Sequence, residues 1–437
     1  MMTSKPRIAV VGAGISGLAS AWLLSQEYEV TVFEAGSYLG GHTNTVDVTL
    51  EGKTHPVDTG FLVFNDKTYP NLIAMFKLLG VGSVETEMSF AVSLEEPDLE
   101  WAGSSLATVF GQKRNLVRRS FWSMLADILR FNRESQAWLA SHQDSQRSLR
   151  DFLTEGRYSS AFSDWYLLPM AAAIWSCPTG QMRDMPLATF IRFCSNHGLL
   201  QVFDRPMWRT VLGGGRAYVQ KIAEQLSDIR LACPVSAVSR EAGRLRVVHA
   251  AGSELFDRVV MACHSDQALA ILGLAASDTQ REILSAVRYQ PNRAVLHTDR
   301  ALLPRDEKLW SAWNYFSGSG APGEQPVGVS YLINKLQPLP FKTPVVVTLN
   351  PAREPDPAKV IAEFDYAHPI FDGPAIAAQR RLADVQGENG IWLAGAWGSY
   401  GFHEDGLKSA LRVVNSMGVA APWQNTSAPV ERELEVV

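Results

Sequence analysis

The stretch IAVVGAGISGLASAWLL, Ile8 to Leu24, continued by EVTVFEAGSYLGG, Glu29 to Gly41, decides the fold. Ile8, Ala9, Val10 and Val11 form a short apolar run ending at Gly12, the pattern of a buried parallel strand. Leu18, Ala19, Ala21, Trp22, Leu23 and Leu24 follow at helical spacing. Strand, glycine turn and helix in that order give the triad of Gly12, Gly14 and Gly17 its meaning. Gly12 permits the tight turn, Gly14 lets backbone approach a pyrophosphate, and Gly17 lets helix pack closely on strand. Free N–H groups at the helix start attract phosphate charge. A second strand, Glu29 to Phe33, ends at Glu34, an acidic residue about 20 residues beyond the turn. Its carboxylate suits the hydroxyls of an adenosine ribose. The alternative is a βαβ unit that binds nothing.

Beyond Glu34, Gly36, Gly40 and Gly41 extend the nucleotide turn with a second glycine pair. Glu34-Ala-Gly-Ser-Tyr-Leu-Gly-Gly-His-Thr resembles the E-A-x-x-x-x-G-G-R-x segment of the flavin-containing amine oxidoreductase superfamily, which includes amine oxidases, phytoene desaturases and protoporphyrinogen oxidases. In that superfamily the dinucleotide is FAD. The chain departs by carrying His42 where many relatives carry arginine. No guanidinium contact to the pyrophosphate carries over, and His42 either donates a weaker hydrogen bond or packs.

The far end, GIWLAGAWGSYGFHEDGLKSALRVV from Gly390 to Val414, reads as the complementary half. Ile391 to Leu393 is a strand, Ala394-Gly395-Ala396 a tight passage, and Asp405-Gly406 opens a helix with Leu407, Leu411 and Val414 on one face. The segment is similar to the superfamily's closing motif. A helix starting beneath the flavin's pyrimidine ring stabilises the negative charge that gathers there on reduction. For His403, Glu404 and Asp405 two readings stand: helix capping with solvated charge, or contact of Asp405 or Glu404 with the ribityl chain. The resemblance implies FAD held without a covalent link by Gly12, Gly14, Ile15, Ser16, Gly17, Glu34, Ala35, Gly40, Gly41, His42, Thr43, Gly60, Val235, Gly395, Ala396, His403, Glu404, Asp405 and Gly406. No metal is expected.

Further phrases are similar to one bacterial branch of the superfamily, flavoproteins that accompany methyltransferases related to cyclopropane fatty acid synthase. They are VDTGFLVFN (Val57–Asn65), WSCP (Trp175–Pro178), LHTD (Leu296–Asp299), WNY (Trp313–Tyr315) and GFHEDG (Gly401–Gly406). That likeness implies desaturation of methyl-branched fatty acyl chains.

The expected fold class is α/β: a Rossmann-type FAD domain of the glutathione-reductase and amine-oxidase kind, with an interleaved substrate domain of mixed sheet and helices. FAD-domain residues are 1–85, 206–274 and 376–437; the substrate domain takes 86–205, rich in tryptophan and helical periodicity, and 275–375. Within these, 230–240 and 257–263 read as strands of the nucleotide domain, and strands near 293–299, 327–333 and 344–349 form a substrate-side sheet. The polar tail after Trp423 reads as disordered.

A chain of 437 residues, 46% hydrophobic with net charge −5, is large enough for two joined domains, and nothing marks it for nucleic acid. No signal peptide is read at its start, so a cytoplasmic location is expected. Cys177, Cys194, Cys233 and Cys263 lack metal-ligand spacing and read as small core residues. The apolar run Tyr166 to Cys177 is too short to span a membrane and reads as a buried helix. Lys113 to Arg133 joins a basic start to Phe121, Trp122, Leu125, Ile128 and Leu129 at helical spacing. It either rests peripherally on an anionic membrane face or covers the substrate domain.

Flavin dehydrogenation moves a hydride from a substrate carbon to N5, so the protein chiefly orients, dries and stabilises. Amine oxidases hold a lysine near N5 on the first strand after the helical insert; here that strand reads Pro291-Asn-Arg-Ala-Val-Leu-His-Thr-Asp, placing Arg293 or Asn292 there. Lys335 is the fallback. Phe402 supplies one aromatic wall and Tyr366 or His368 the other, with His197 and Trp175 as further lining. Three functions stand: dehydrogenation of a lipid-like chain, amine oxidation releasing peroxide, and non-catalytic binding as in Rab GDP dissociation inhibitors. The GFHEDG segment argues against the last.

Overall fold

The computed structural model describes residues 5–142, 145, 147–175, 179–201, 206–318 and 328–424. Ser176, Cys177 and Pro178 of the WSCP phrase, residue 327, and the tail from 425 lie outside them.

Five parallel strands form the nucleotide-side sheet, in the order Asp228–Arg230, Glu29–Phe33, Arg7–Val11, Arg258–Met261, Ile391–Leu393. The central strand is buried on both faces, and its side chains alternate between two cores. Ile8 and Val10 pack with Leu18, Leu407, Leu411 and Val414 of the helices Ile15–Leu24 and His403–Ser416. Ala9 and Val11 pack with Ala268, Leu272 and Ile283 of the helices Ser265–Leu272 and Asp278–Ala286. Because a strand's side chains alternate faces, a continuous apolar run is required here rather than an alternating one.

A seven-stranded mixed sheet carries the other body, in the order Val360–Ile370, Arg288–His297, Val346–Leu349, Gly328–Leu332, Trp313–Ser317, Phe90–Leu94, Leu99–Ala102. All pairings are antiparallel except that of Trp313–Ser317 with Phe90–Leu94. Helices Arg119–Ser141, Leu149–Glu155, Leu168–Trp175 and Leu187–Asn196 share one apolar core with it. The antiparallel ribbon Thr45–Leu50 and Lys53–Asp58 ties the two bodies. Buried Asp58 accepts from Thr45, from the Gly215 amide and from Gln337 Nε2, and donates its own amide to Gln337 Oε1.

Several local expectations are corrected. Within 86–205, alongside the helices, Phe90–Leu94 and Leu99–Ala102 add two strands that the sequence reading does not place. The 230–240 strand divides: Asp228–Arg230 joins the parallel sheet, whereas Val235–Glu241 enters a separate antiparallel sheet. The amphipathic stretch opens with a 3₁₀ turn, Lys113–Leu116, before its helix. Tyr166 sits in a π-helical turn, Ser163–Leu167, that leads into Leu168–Trp175.

Candidate active site

Gly12 adopts φ +103, and a Cβ there would stand 2.9 Å from the Ala262 carbonyl oxygen. At Gly17 a Cβ would fall 1.8 Å from the Gly12 oxygen, so only glycine lets this helix lie on this turn. Gly14 is different: a Cβ there would meet nothing within 4 Å. Its surface is open, and the helix it starts has no side-chain cap, leaving first-turn N–H groups for a ligand. The second glycine pair lies against this opening. Gly40 donates to the Ala13 carbonyl at 2.9 Å, and the Cβ direction of Gly41 ends 3.3 Å from Gly14 Cα.

Glu34 is fixed by two backbone amides, Ala13 and Gly36, each 2.8 Å from one carboxylate oxygen. A carboxylate has lone pairs beyond these two bonds, so Glu34 can still accept from a ribose. Ala35 is exposed beside it. The Cys233 amide donates to the Glu34 carbonyl and Ala232 to that of Gly36, which brings buried Val235 to the same end.

The two chain ends meet directly. Ser16 Oγ donates to the Gly406 carbonyl at 2.9 Å and lies 3.3 Å from Ser409 Oγ, which in turn accepts from the Gly395 amide at 2.9 Å. A Cβ on Gly406 would stand 2.7 Å from Ile15 and 3.6 Å from Ala396. Gly60 closes the neighbouring wall, its Cβ position lying 2.1 Å from the His42 carbonyl oxygen.

The acidic pair is used in capping. Glu404 accepts from Asn71 N, Asn71 Nδ2 and Leu72 N at 3.1, 2.7 and 2.9 Å, capping the helix Pro70–Leu79. Asp405 turns back to accept from the Phe402 amide at 2.9 Å, so the helix starts at His403. Burial raises both carboxyl groups above the ordinary range. His403 stacks on Phe61 at 3.6 Å, and its Nε2 lies 2.9 Å from both Thr43 Oγ1 and Tyr218 OH. Burial pushes its imidazole down to about 3, keeping it neutral.

Just before that helix, Phe402 stacks on Phe193 at 4.9 Å and lies 5.4 Å from His197. Trp175, Trp208, Tyr69 and Tyr400 complete this aromatic group. His197 Nδ1 donates to the Phe193 carbonyl at 3.0 Å, which leaves Nε2 as an acceptor, and burial pushes the ring down to about 4. Tyr366 OH is held by Asn44 Nδ2 and Thr59 Oγ1 while its ring stacks on His42. His368 is held by buried Asn292 at 2.8 Å.

Arg293 does not join them. Alternation along its strand turns it outward, where it pairs with Glu354 at 2.8 Å and Glu363 at 2.9 Å. Lys335 is likewise held by Glu87 at 3.0 Å. His264 and Tyr289, stacked at 4.4 Å, went unread in the sequence because no local pattern joins them to His42. Among the described residues no three His, Cys, Asp or Glu side chains form a metal-holding group. No helix there is long and apolar enough to cross a membrane.

An open glycine face, an uncapped helix start, an oriented acidic residue and a buried, unpartnered His42 Nε2 fit a bound dinucleotide. The comparisons agree. The family model for flavin containing amine oxidoreductases matches residues 15–335. A carotenoid phi-ring synthase from Chlorobaculum tepidum is 37% identical over 83 residues, 19% of this chain and 13% of that protein. The chain spans little of its curated relatives: a tryptophan 2-monooxygenase and a rice polyamine oxidase are matched over 6% and 12% of their lengths. Among solved structures, a CLA-producing fatty acid isomerase from P. acnes aligns with TM-score 0.66 at 15% identity, over 95% of this chain and 99% of its own. A cyclohexylamine oxidase from Brevibacterium oxydans aligns with TM-score 0.64 at 17% identity, over 95% and 100%.

Proposed function

Because the chain belongs to the family of flavin-containing amine oxidoreductases, and is an FAD-dependent oxidoreductase, we propose that it dehydrogenates an apolar, lipid-like chain, in the favoured case a methyl-branched fatty acyl group. The observation that carries this reading is the lining around Phe402. It is predominantly aromatic, with Arg192 bonded to Tyr400 at its edge, and the two basic side chains singled out in the sequence, Arg293 and Lys335, are both held in surface ion pairs. Such a surface favours a hydrocarbon, which gains by leaving water and needs no charged partner.

Bound FAD supplies a two-electron acceptor. The chain's own residues orient and dry the reacting carbons: Phe402, Phe193 and Trp175 exclude water, and the helix start at His403 stabilises developing negative charge. Forming a carbon–carbon double bond removes a hydride from one carbon and a proton from its neighbour. Neutral His197, with Nε2 free to accept, is the base we assign to that proton. We read 1–85, 206–274 and 376–437 as the FAD-holding body and 86–205 with 275–375 as the substrate body. The flavin is held without a covalent bond, so denaturation releases it.

Membrane contact belongs to the same reading. Leu106, Leu116, Val117, Trp122 and Leu129 are exposed, Val117 by 83%, and Lys113 and Arg119 are exposed among them. Apolar side chains set among cations suit an anionic bilayer at the cytoplasmic face, from which a lipid substrate could be drawn.

Amine oxidation is the competing reading, since an aromatic wall such as Phe402 also accommodates an amine. Anaerobic incubation with methyl-branched phospholipids and with an amine panel separates them. Flavin bleaching with a new double bond in the lipid supports the proposal. Bleaching by amines alone, with peroxide on admitting air, overturns it.

A further inference from the structure

Three imidazoles that no motif connects converge beside the nucleotide turn. The His42 ring lies 5.1 Å from His368 and 6.0 Å from His264. They come from the second glycine turn, from the strand Val360–Ile370 and from the residue preceding the helix Ser265–Leu272. Two of them are attached to backbone that packs against the glycine turn. His42 follows Gly41, which touches Gly14, and His264 follows Cys263, whose amide lies 3.2 Å from where a Gly12 Cβ would stand.

Their partners fix what each can offer. His368 Nδ1 lies 2.8 Å from the Asn292 amide nitrogen, and the Asn292 oxygen is taken by Asn350, so Nδ1 accepts and Nε2 carries the proton. The His264 backbone amide donates to Gln267 Oε1 at 3.3 Å, and the Gln267 amide is taken by Asp266 Oδ1, so the His264 ring stays out of the helix cap. His42 Nε2 is buried with no partner. These imidazoles are grouped where helix-start amides favour phosphate.

We propose that His42, with His264 and His368, forms a protonatable site for the pyrophosphate of FAD, so that the chain takes up a proton as it binds its cofactor and releases the cofactor more readily as pH rises. The proposal rests on the flavin assignment and adds a regulation to it. Without the anion, burial and mutual repulsion hold His42 well below its ordinary range, His368 at about 4 and His264 lowered. The other groups facing the cluster are Tyr366 and Tyr289, neutral His403, Asp266 beside His264, and Tyr38; Glu34 is already engaged by backbone amides. Of these only Asp266 is a carboxylate acting on a cluster imidazole, and it favours the charged form of His264. A pyrophosphate supplies the missing counter-charge and raises the imidazoles. Between the free and bound values one proton enters per FAD, and the dissociation constant climbs up to tenfold per pH unit.

The test is FAD binding to the apoprotein from about pH 5.5 to about pH 8.5, read by flavin fluorescence, with proton uptake measured in weak buffer. The wild type is expected to bind more weakly as pH rises and to take up protons. His42→Arg, a permanent cation, is expected to bind with little pH dependence and smaller uptake. Thermal release of flavin from the wild-type holoenzyme across the same range gives the answer if the variant does not fold. FAD bound with flat affinity and no proton uptake in the wild type overturns this proposal alone. Failure to bind FAD at any pH overturns the flavin assignment with it.

Discussion

Gly14→Ala and Gly17→Ala separate a glycine kept for a ligand from one kept for the fold. Gly14 has φ −72 and ψ −177, which alanine adopts without strain, and a methyl there meets nothing within 4 Å. Its effect on the apoprotein is confined to the unfolded chain, so Gly14→Ala should stabilise by about 0.4–1 kcal/mol. In the complex the same methyl occupies the space a pyrophosphate needs. An overpacking cost of about 1–3 kcal/mol there weakens FAD binding roughly five- to hundredfold or more. Gly17→Ala puts its methyl 1.8 Å from the Gly12 oxygen, so the helix must lift off the strand. That variant should lose at least about 1–3 kcal/mol before any ligand is added. Equilibrium denaturation of both apoproteins and FAD titration of each read the two effects separately. Wild-type FAD affinity in Gly14→Ala, or a loss of stability equal to that of Gly17→Ala, refutes the reasoning.

Neutral His403 makes the fold acid-sensitive. Its folded pKa is depressed, so the stability it confers is complete above the unfolded value of about 6.5 and is lost as pH falls toward about 3, at about 1.4 kcal/mol per unit. His403→Gln should flatten the stability difference between about pH 7.5 and pH 5.5 by that amount in urea denaturation. Glu404→Ala leaves the Asn71 and Leu72 amides unpaired and should cost about 1–3 kcal/mol in unfolding free energy, lowering the melting temperature whether or not FAD is present. Trp122→Ser with Lys113→Gln should leave activity on a detergent-dispersed substrate unchanged while reducing sedimentation with anionic vesicles; unchanged sedimentation removes the membrane reading.

The nucleotide end was legible because its signals are local. Strand, turn and helix between Arg7 and Leu24 fall within one window, as does the strand Ile391–Leu393. Phe90–Leu94 is hard to read for another reason: it pairs locally with Leu99–Ala102, but the helical periodicity of the residues that follow dominates the window, and its second partner, Trp313–Ser317, lies more than two hundred residues away. Glu404 and Asp405 showed their charge but not their direction, which depends on where the helix Pro70–Leu79 docks. The outward direction of Arg293 is hidden for a similar reason. Its strand is plain in the sequence, but which face of that strand turns inward is set by the neighbouring strands. The imidazole cluster, drawn from positions 42, 264 and 368, exists only in the folded chain.

The most direct measurement is the absorption spectrum of the purified chain, followed by FAD titration of Ser16→Ala and Gly406→Val beside the wild type. The expected result is a yellow protein holding one FAD per chain, and impaired flavin binding in both variants, since Ser16 and Gly406 join the two ends. A colourless chain with no saturable FAD binding, or undiminished affinity when that junction is disrupted, would contradict it.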